Sequence, residues 1–171
     1  MVNKLIGSTF LIAAFLWGCE QDALSTQDPL IQQAGNYTLY TSRDMYQELR
    51  ENRSGEVSKD FKIDNVTRME KGSNSYLEIE IIHQVCAPEP RIIWNGTVAE
   101  SHPPQVYLFV QLLSGEECMD GADPEVKTEI FSLDLLDLVK EESTAKSAIF
   151  HVMNASKDDG RNDHSDEPVS S

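Results

Sequence analysis

The strictest alternation in the chain runs from Leu77 to Ile81, with Leu77, Ile79 and Ile81 on one parity and Glu78 and Glu80 on the other. A side-chain period of two with one wet parity predicts a half-buried strand over Tyr76–His83. A helix would put Glu78 and Ile81 on one face and leave no amphipathic stripe. Val106–Leu113 is apolar on both parities apart from Gln111, which predicts a central strand covered on both faces. A third strand is predicted over Arg91–Thr97, where Ile92 and Trp94 alternate with Ile93 and Asn95, and Asn95-Gly96 signals a turn. Pro88, Pro90, Pro103 and Pro104 fall outside these runs, as residues that cannot donate to a ladder should.

Weaker patterns flank this stretch. Tyr37–Thr41 predicts a short strand that opens the folded body. Ser42 to Arg53 predicts a short helix, with Ser42 as cap, Asp44 in the first turn, and Met45, Tyr46 and Leu49 at helical spacing. Phe61–Val66 predicts an edge strand, and Lys71-Gly72-Ser73-Asn74 the turn that follows it. Val126–Phe131 alternates again, Ser132 to Glu142 fits neither period, and Ala148–Met153 predicts a last strand. Fold class follows: mainly β, a single antiparallel β-sandwich over residues 37–155 with one or two short helices. The layering expected is immunoglobulin-like, but the sequence is not that of a true immunoglobulin domain. Cys86, Trp94 and Cys118 stand too close together, and Glu116 occupies the position of the corner tyrosine.

The ends of the chain read differently. Residues 156–171 hold Val169 as their one large apolar side chain, too little to offset the entropy of ordering, so an acidic disordered tail is expected there. Residues 20–33 are polar and small and predict a flexible tether. Ahead of them, Lys4 precedes an apolar run from Leu5 to Trp17. As a helix that run would reach about 20 Å, short of the roughly 30 Å hydrocarbon core. Residues 1–18 therefore read as a signal peptide and not as a membrane span.

Leu16-Trp17-Gly18-Cys19 resembles the lipobox of bacterial lipoprotein precursors, with leucine at −3, a small residue at −1, and the cysteine itself; Trp17 departs from the pattern. The resemblance covers the leader only. It implies cleavage before Cys19, acylation of that cysteine, and a tethered segment over 19–36. Two or more acyl chains hold a protein stably where one does not. Glu20 follows the cysteine in place of the aspartate that favours inner-membrane retention in this family, so an outer-membrane address is implied over an inner one. The body also loosely resembles small bacterial lipoproteins with a paired-cysteine sandwich.

With Cys19 assigned to lipid, Cys86 and Cys118 remain, each just past the end of a predicted strand. In an oxidising compartment they are expected to form a disulfide, worth roughly 3–4 kcal/mol by loop closure. Two buried thiols, or a metal half-site joining His83 and Cys86, are the alternatives.

The net charge of −15 excludes nucleic-acid partners and a polybasic hold on anionic lipid, and removal of Lys4 with the leader makes the chain more acidic still. No hydrolase elbow, phosphate loop, dinucleotide fingerprint or His-Glu-x-x-His motif is present. Asp120 to Glu125 is acidic but lacks the spacing of a calcium loop. Glu100, Ser101 and His102 are adjacent in sequence and so are poorly placed to converge as a triad. No catalytic residue, metal site or cofactor is expected. The reading is an extracytoplasmic module, lipid-anchored at the cell envelope, that binds a protein or glycan partner. A soluble secreted glycoprotein is the alternative, since Asn36, Asn52, Asn65, Asn95 and Asn154 all head N-x-[ST] sequons. A hydrolase or metal-dependent enzyme is the second alternative.

Overall fold

The computed structural model describes residues 29–54, 57–84, 89–113 and 125–156. Among the described residues eight strands and three short helices follow one another, and the strands form two sheets. The five-stranded sheet has the order β1 (Leu30–Ala34), β2 (Tyr37–Thr41), β5 (Glu89–Trp94), β6 (Gln105–Leu113), β8 (Ile149–Asn154). The three-stranded sheet has the order β3 (Phe61–Lys71), β4 (Asn74–Gln84), β7 (Val126–Asp134). The expected strands at 37–41, 76–83, 106–113, 126–131 and 148–153 are all present, with boundaries shifted by a few residues.

The alternation of β4 does what its period requires. Leu77, Ile79 and Ile81 are fully buried, and Glu78 and Glu80 stand on the other face. Val106, Leu108, Val110 and Leu112 of β6 belong to the same apolar cluster, with Phe131 and Leu133 from β7 and Phe150 and Val152 from β8. Inner rows of both sheets thus share one core. The other parity of β6 is also covered, because Phe109 packs with Ile93 and with Tyr46 and Leu49 of helix α1 (Arg43–Glu51). Ser42 caps that helix, its hydroxyl accepting from the Met45 amide at 3.3 Å.

Pairing is not uniformly antiparallel, which corrects the expected antiparallel sandwich. β2 runs parallel to β5, and β6 parallel to β8. Parallel neighbours need a crossover. The first crossover is α1 with the β3–β4 hairpin, and the second is β7 with helices α2 (Leu135–Val139) and α3 (Glu142–Ser147). Each passes through the opposite sheet. Period-two patterning carries no information about strand direction, so the sequence left this open.

Four local features also differ from expectation. β1 occupies residues 30–34, inside the expected tether, because Gly35 at φ +65° turns a two-residue hairpin that pairs Ala34 with Tyr37. Gly72 at φ +70° does the same between β3 and β4. In β3 a bulge between Ile63 and Asn65 shifts the parity, so that Val66 still faces the core after Phe61 and Ile63. Pro90 lies inside β5, at a position beyond the β2 partner register that starts at Arg91, where no ladder amide is needed on that side. Finally, the ambiguous 132–142 segment divides: β7 ends at Asp134, whose carboxylate caps α2 by accepting from the Leu136 and Asp137 amides at 2.9 and 3.2 Å. Leu135 and Leu138 then enter the core. With α3 the described residues hold three helices, where one or two were expected.

Side chains join the sheets at their margins. Tyr37 of β2 donates to the Ser132 carbonyl of β7 at 3.0 Å and packs edge-on against Phe131. Arg68 of β3 donates to the Lys146 and Ala148 carbonyls at 2.8 and 2.7 Å, over the ring of Phe150. Asn154 of β8 donates to the Phe61 carbonyl at 2.8 Å.

Burial, and next the charge of Asp134, push the Tyr37 phenol up to about 12 from 10.0. A raised value means that the folded state holds this proton more tightly. Its contribution, on the order of 2 kcal/mol, is therefore complete below about pH 10 and lost as pH rises toward about 12. Tyr37→Phe is expected to lose about 1 kcal/mol at neutral pH, from the orphaned Ser132 carbonyl, yet to show a shallower fall in that alkaline window. Denaturant titrations at stepped pH measure both; equal slopes for the two proteins would refute this role.

Candidate binding surface

The outward parity of the three-stranded sheet forms a continuous face that is exposed or half-buried along its length. Register sets its pattern. Glu78 stands between Thr67 of β3 and Ser132 of β7, and Glu80 between Asn65 and Ile130. Around them a depression of about 250 Å³ is lined by Asn65, Thr67, Met69, Glu78, Glu80 and Ile130. The bulge in β3 is what brings Asn65, Thr67 and Met69 onto this face. Lys71 pairs with Glu78 at 2.8 Å and lies over the Tyr76 ring, forming one rim. Two half-buried carboxylates, an amide and a hydroxyl beside the exposed apolar side chains of Met69 and Ile130 can accept hydrogen bonds and contact a small apolar group. The sequence announced Glu78 and Glu80 as a wet face; the partners that make it a depression depend on register, which it did not reveal.

A second polar group lies on the inner parity, at the end of β4 and β7. Nδ1 of His83 lies 2.8 Å from the Gln84 carbonyl, and Nε2 lies 3.4 Å from Glu129 Oε2. Lys127 contacts the other oxygen of Glu129. The His83 side chain is 2% exposed and that of Glu129 14%, so this imidazole–carboxylate pair is set into the end of the core. Inward charges on an edge strand such as β7 also discourage pairing with another chain.

The other histidines stand apart. His151 stacks on Tyr107 at 4.5 Å, across the β6–β8 pairing and on the parity opposite the main core. His102 is exposed, and its neighbour Ser101 donates to the Pro103 carbonyl at 2.7 Å. Among the described residues no group of three or more histidine, cysteine or acidic side chains is placed to hold a metal ion.

Cys19, Cys86 and Cys118 lie outside the described residues, as do the signal peptide, most of the tether, most of the acidic turn and the tail beyond Ser156. The residues that flank the two later cysteines are described. Gln84 pairs with Val126, and Glu89 with Leu113, so the segments carrying Cys86 and Cys118 both leave and rejoin the body at one end. The sequons also sort by burial. Asn36, Asn52 and Asn65 are exposed and Asn95 is half-buried. Asn154 is 2% exposed with its amide committed to Phe61, which makes it unavailable for a glycan in the folded protein.

No described helix is long and apolar enough to cross a membrane. Comparison of the chain with protein-family models, with curated proteins and with solved structures yields no match.

Proposed function

We propose that the protein is a lipid-anchored module of the cell envelope, held in the outer membrane by acylated Cys19, which binds a protein or glycan through the outer face of β3, β4 and β7 without catalysis. The observation that carries this reading is the lipobox-like Leu16-Trp17-Gly18-Cys19 at the end of a leader too short to span a bilayer. The distance to the body supports it. β1 begins at Leu30, and the eleven residue steps from Cys19 extend at most about 40 Å, which keeps the binding face within reach of the envelope surface. Its carboxylates Glu78 and Glu80 favour a partner that is basic or rich in hydroxyl donors. The two sheets, meeting through one core, are read as the layers of a β-sandwich with immunoglobulin-like layering and a mixed sheet in place of an antiparallel one.

Metabolic labelling with a palmitate analogue tests the anchor. Wild type is expected to carry label and sediment with membranes, and Cys19→Ala to lose the label and become soluble. Label that survives the substitution would refute acylation at Cys19. A soluble, secreted N-glycosylated protein is the second reading, favoured by exposed Asn36, Asn52 and Asn65. A mass drop of the unlabelled protein on glycosidase treatment would select it.

Cys86 and Cys118 are proposed to be bridged. Cys86 lies two residues from Gln84 and three from Glu89, within about 11 Å of both, and both flanks pair with the flanks of the Cys118 segment. Peptide mapping without reductant is expected to recover the linked pair, and Cys86→Ser with Cys118→Ser to cost roughly 3–4 kcal/mol. Two alkylatable thiols in the exported protein would overturn this.

A further inference from the structure

Each sheet has two edge strands, and three of the four are protected against pairing with another chain. β3 carries Lys62, Asp64, Arg68, Glu70 and Lys71 along its length. β7 carries Lys127 and Glu129 on its inner parity, and its Ile130 and Ser132 carbonyls receive Asn36 and Tyr37. β8 lies against β3, tied by Asn154 to Phe61, with Arg68 reaching the Ala148 carbonyl just ahead of it. Charges, inward-facing ions and covering contacts are the usual means of blunting a sheet edge.

Among the described residues, β1 has none of them. It is the outermost strand of the five-stranded sheet, and Leu30 and Ile31 are 64% and 54% exposed. From Leu30 to Thr41 the β1–β2 hairpin contains no charged residue, in a chain that is 25% charged. Pro29, which cannot donate, precedes the strand, and Gly35 at φ +65° ends it, so the open edge is confined to Leu30–Ala34.

We propose that β1 is a self-association edge, pairing antiparallel with β1 of a second copy to join two five-stranded sheets into one. Charge selects this occupant. Two bodies of net charge −15 repel, and this hairpin is a stretch along which they can meet without opposing carboxylates. Register agrees. Full overlap about a two-fold axis sets Gln32 against Gln32, Ile31 against Gln33 and Leu30 against Ala34, all uncharged pairs. A partner selected for the acidic surface would instead seek carboxylates, which β1 lacks. The pairing does not depend on the lipid anchor.

The test uses the full chain carrying Cys19→Ala, so that acyl chains contribute nothing, with Gln32→Glu and Gln32→Lys made separately. Gln32 is exposed, and both variants should fold as the parent does, checked by near-ultraviolet dichroism. Sedimentation equilibrium is expected to show a dimer for the parent and about fivefold weaker self-association for each variant. An equimolar mixture of the two should recover the parent affinity, because a carboxylate on one copy then faces an ammonium on the other across the two-fold axis. A monomeric parent overturns the proposal and leaves the edge to a partner of different sequence. Charged variants that associate as the parent does, or a mixture no tighter than either alone, overturn it as well, since association elsewhere is insensitive to charge at residue 32.

Discussion

The structure depends on two apolar rows set face to face, Leu77-Ile79-Ile81 on β4 and Val106-Leu108-Val110-Leu112 on β6. Burying side chains of this kind yields roughly 1.5–3 kcal/mol each. The period-two geometry of strands makes the consequence rigid. Once those residues face inward, Glu78 and Glu80 must face outward, and a slip of one residue would bury both carboxylates. The register of β4 is therefore over-determined, and β3 and β7 inherit theirs from it. In β3 the inheritance needs a bulge, because Phe61 and Ile63 are of one parity and Val66 of the other.

A core between two open sheets still has margins through which water can enter, and polar side chains meet it there in different ways. Tyr37 places a phenol across one margin, with its ring on Phe131 and its hydroxyl on a β7 carbonyl. Arg68 covers the other with its guanidinium on two carbonyls and over Phe150, a fork that a lysine cannot reproduce. Burial lowers the pKa of Arg68 from its ordinary value, against the opposing charge of Glu70. Leu135 and Leu138 of α2 add apolar cover between β7 and α3.

Legibility in the sequence follows from what periodicity can encode. β4 and α1 were readable because each carries a run long enough to establish a period, β6 because it is a continuous apolar run, and Ser42 supplied a cap with a mechanism. β1 was not, since Leu30 and Ile31 are adjacent, Gln32 and Gln33 are polar, and neither parity is buried; its strand state comes from the turn at Gly35 and from pairing with β2. α3 was hidden for a similar reason, with only Thr144 and Ala145 buried. The parallel pairings of β2 with β5 and β6 with β8 are relations between distant segments. The outer face of Glu78 and Glu80 was visible as polarity, but its partners Thr67, Asn65 and Ile130 were fixed by pairing.

The surfaces proposed for binding and for self-association lie on different sheets, which bears on whether they can act together. The depression belongs to the outer face of β3, β4 and β7, whereas β1 is the far edge of the other sheet. Pairing through β1 consumes an edge and leaves that outer face open. The lipid anchors proposed at Cys19 fit as well. In an antiparallel pair of five-residue strands the two Leu30 positions lie about 14 Å apart along the strands, each preceded by a segment able to extend up to about 40 Å from Cys19. Two lipids can therefore enter one bilayer from a single two-fold dimer. Confinement to a surface would raise the effective concentration of β1 for its own kind, strengthening at a membrane the pairing expected in solution. A protein displayed in this way would present two acidic faces to one partner, and weak single-site recognition gains from that doubling.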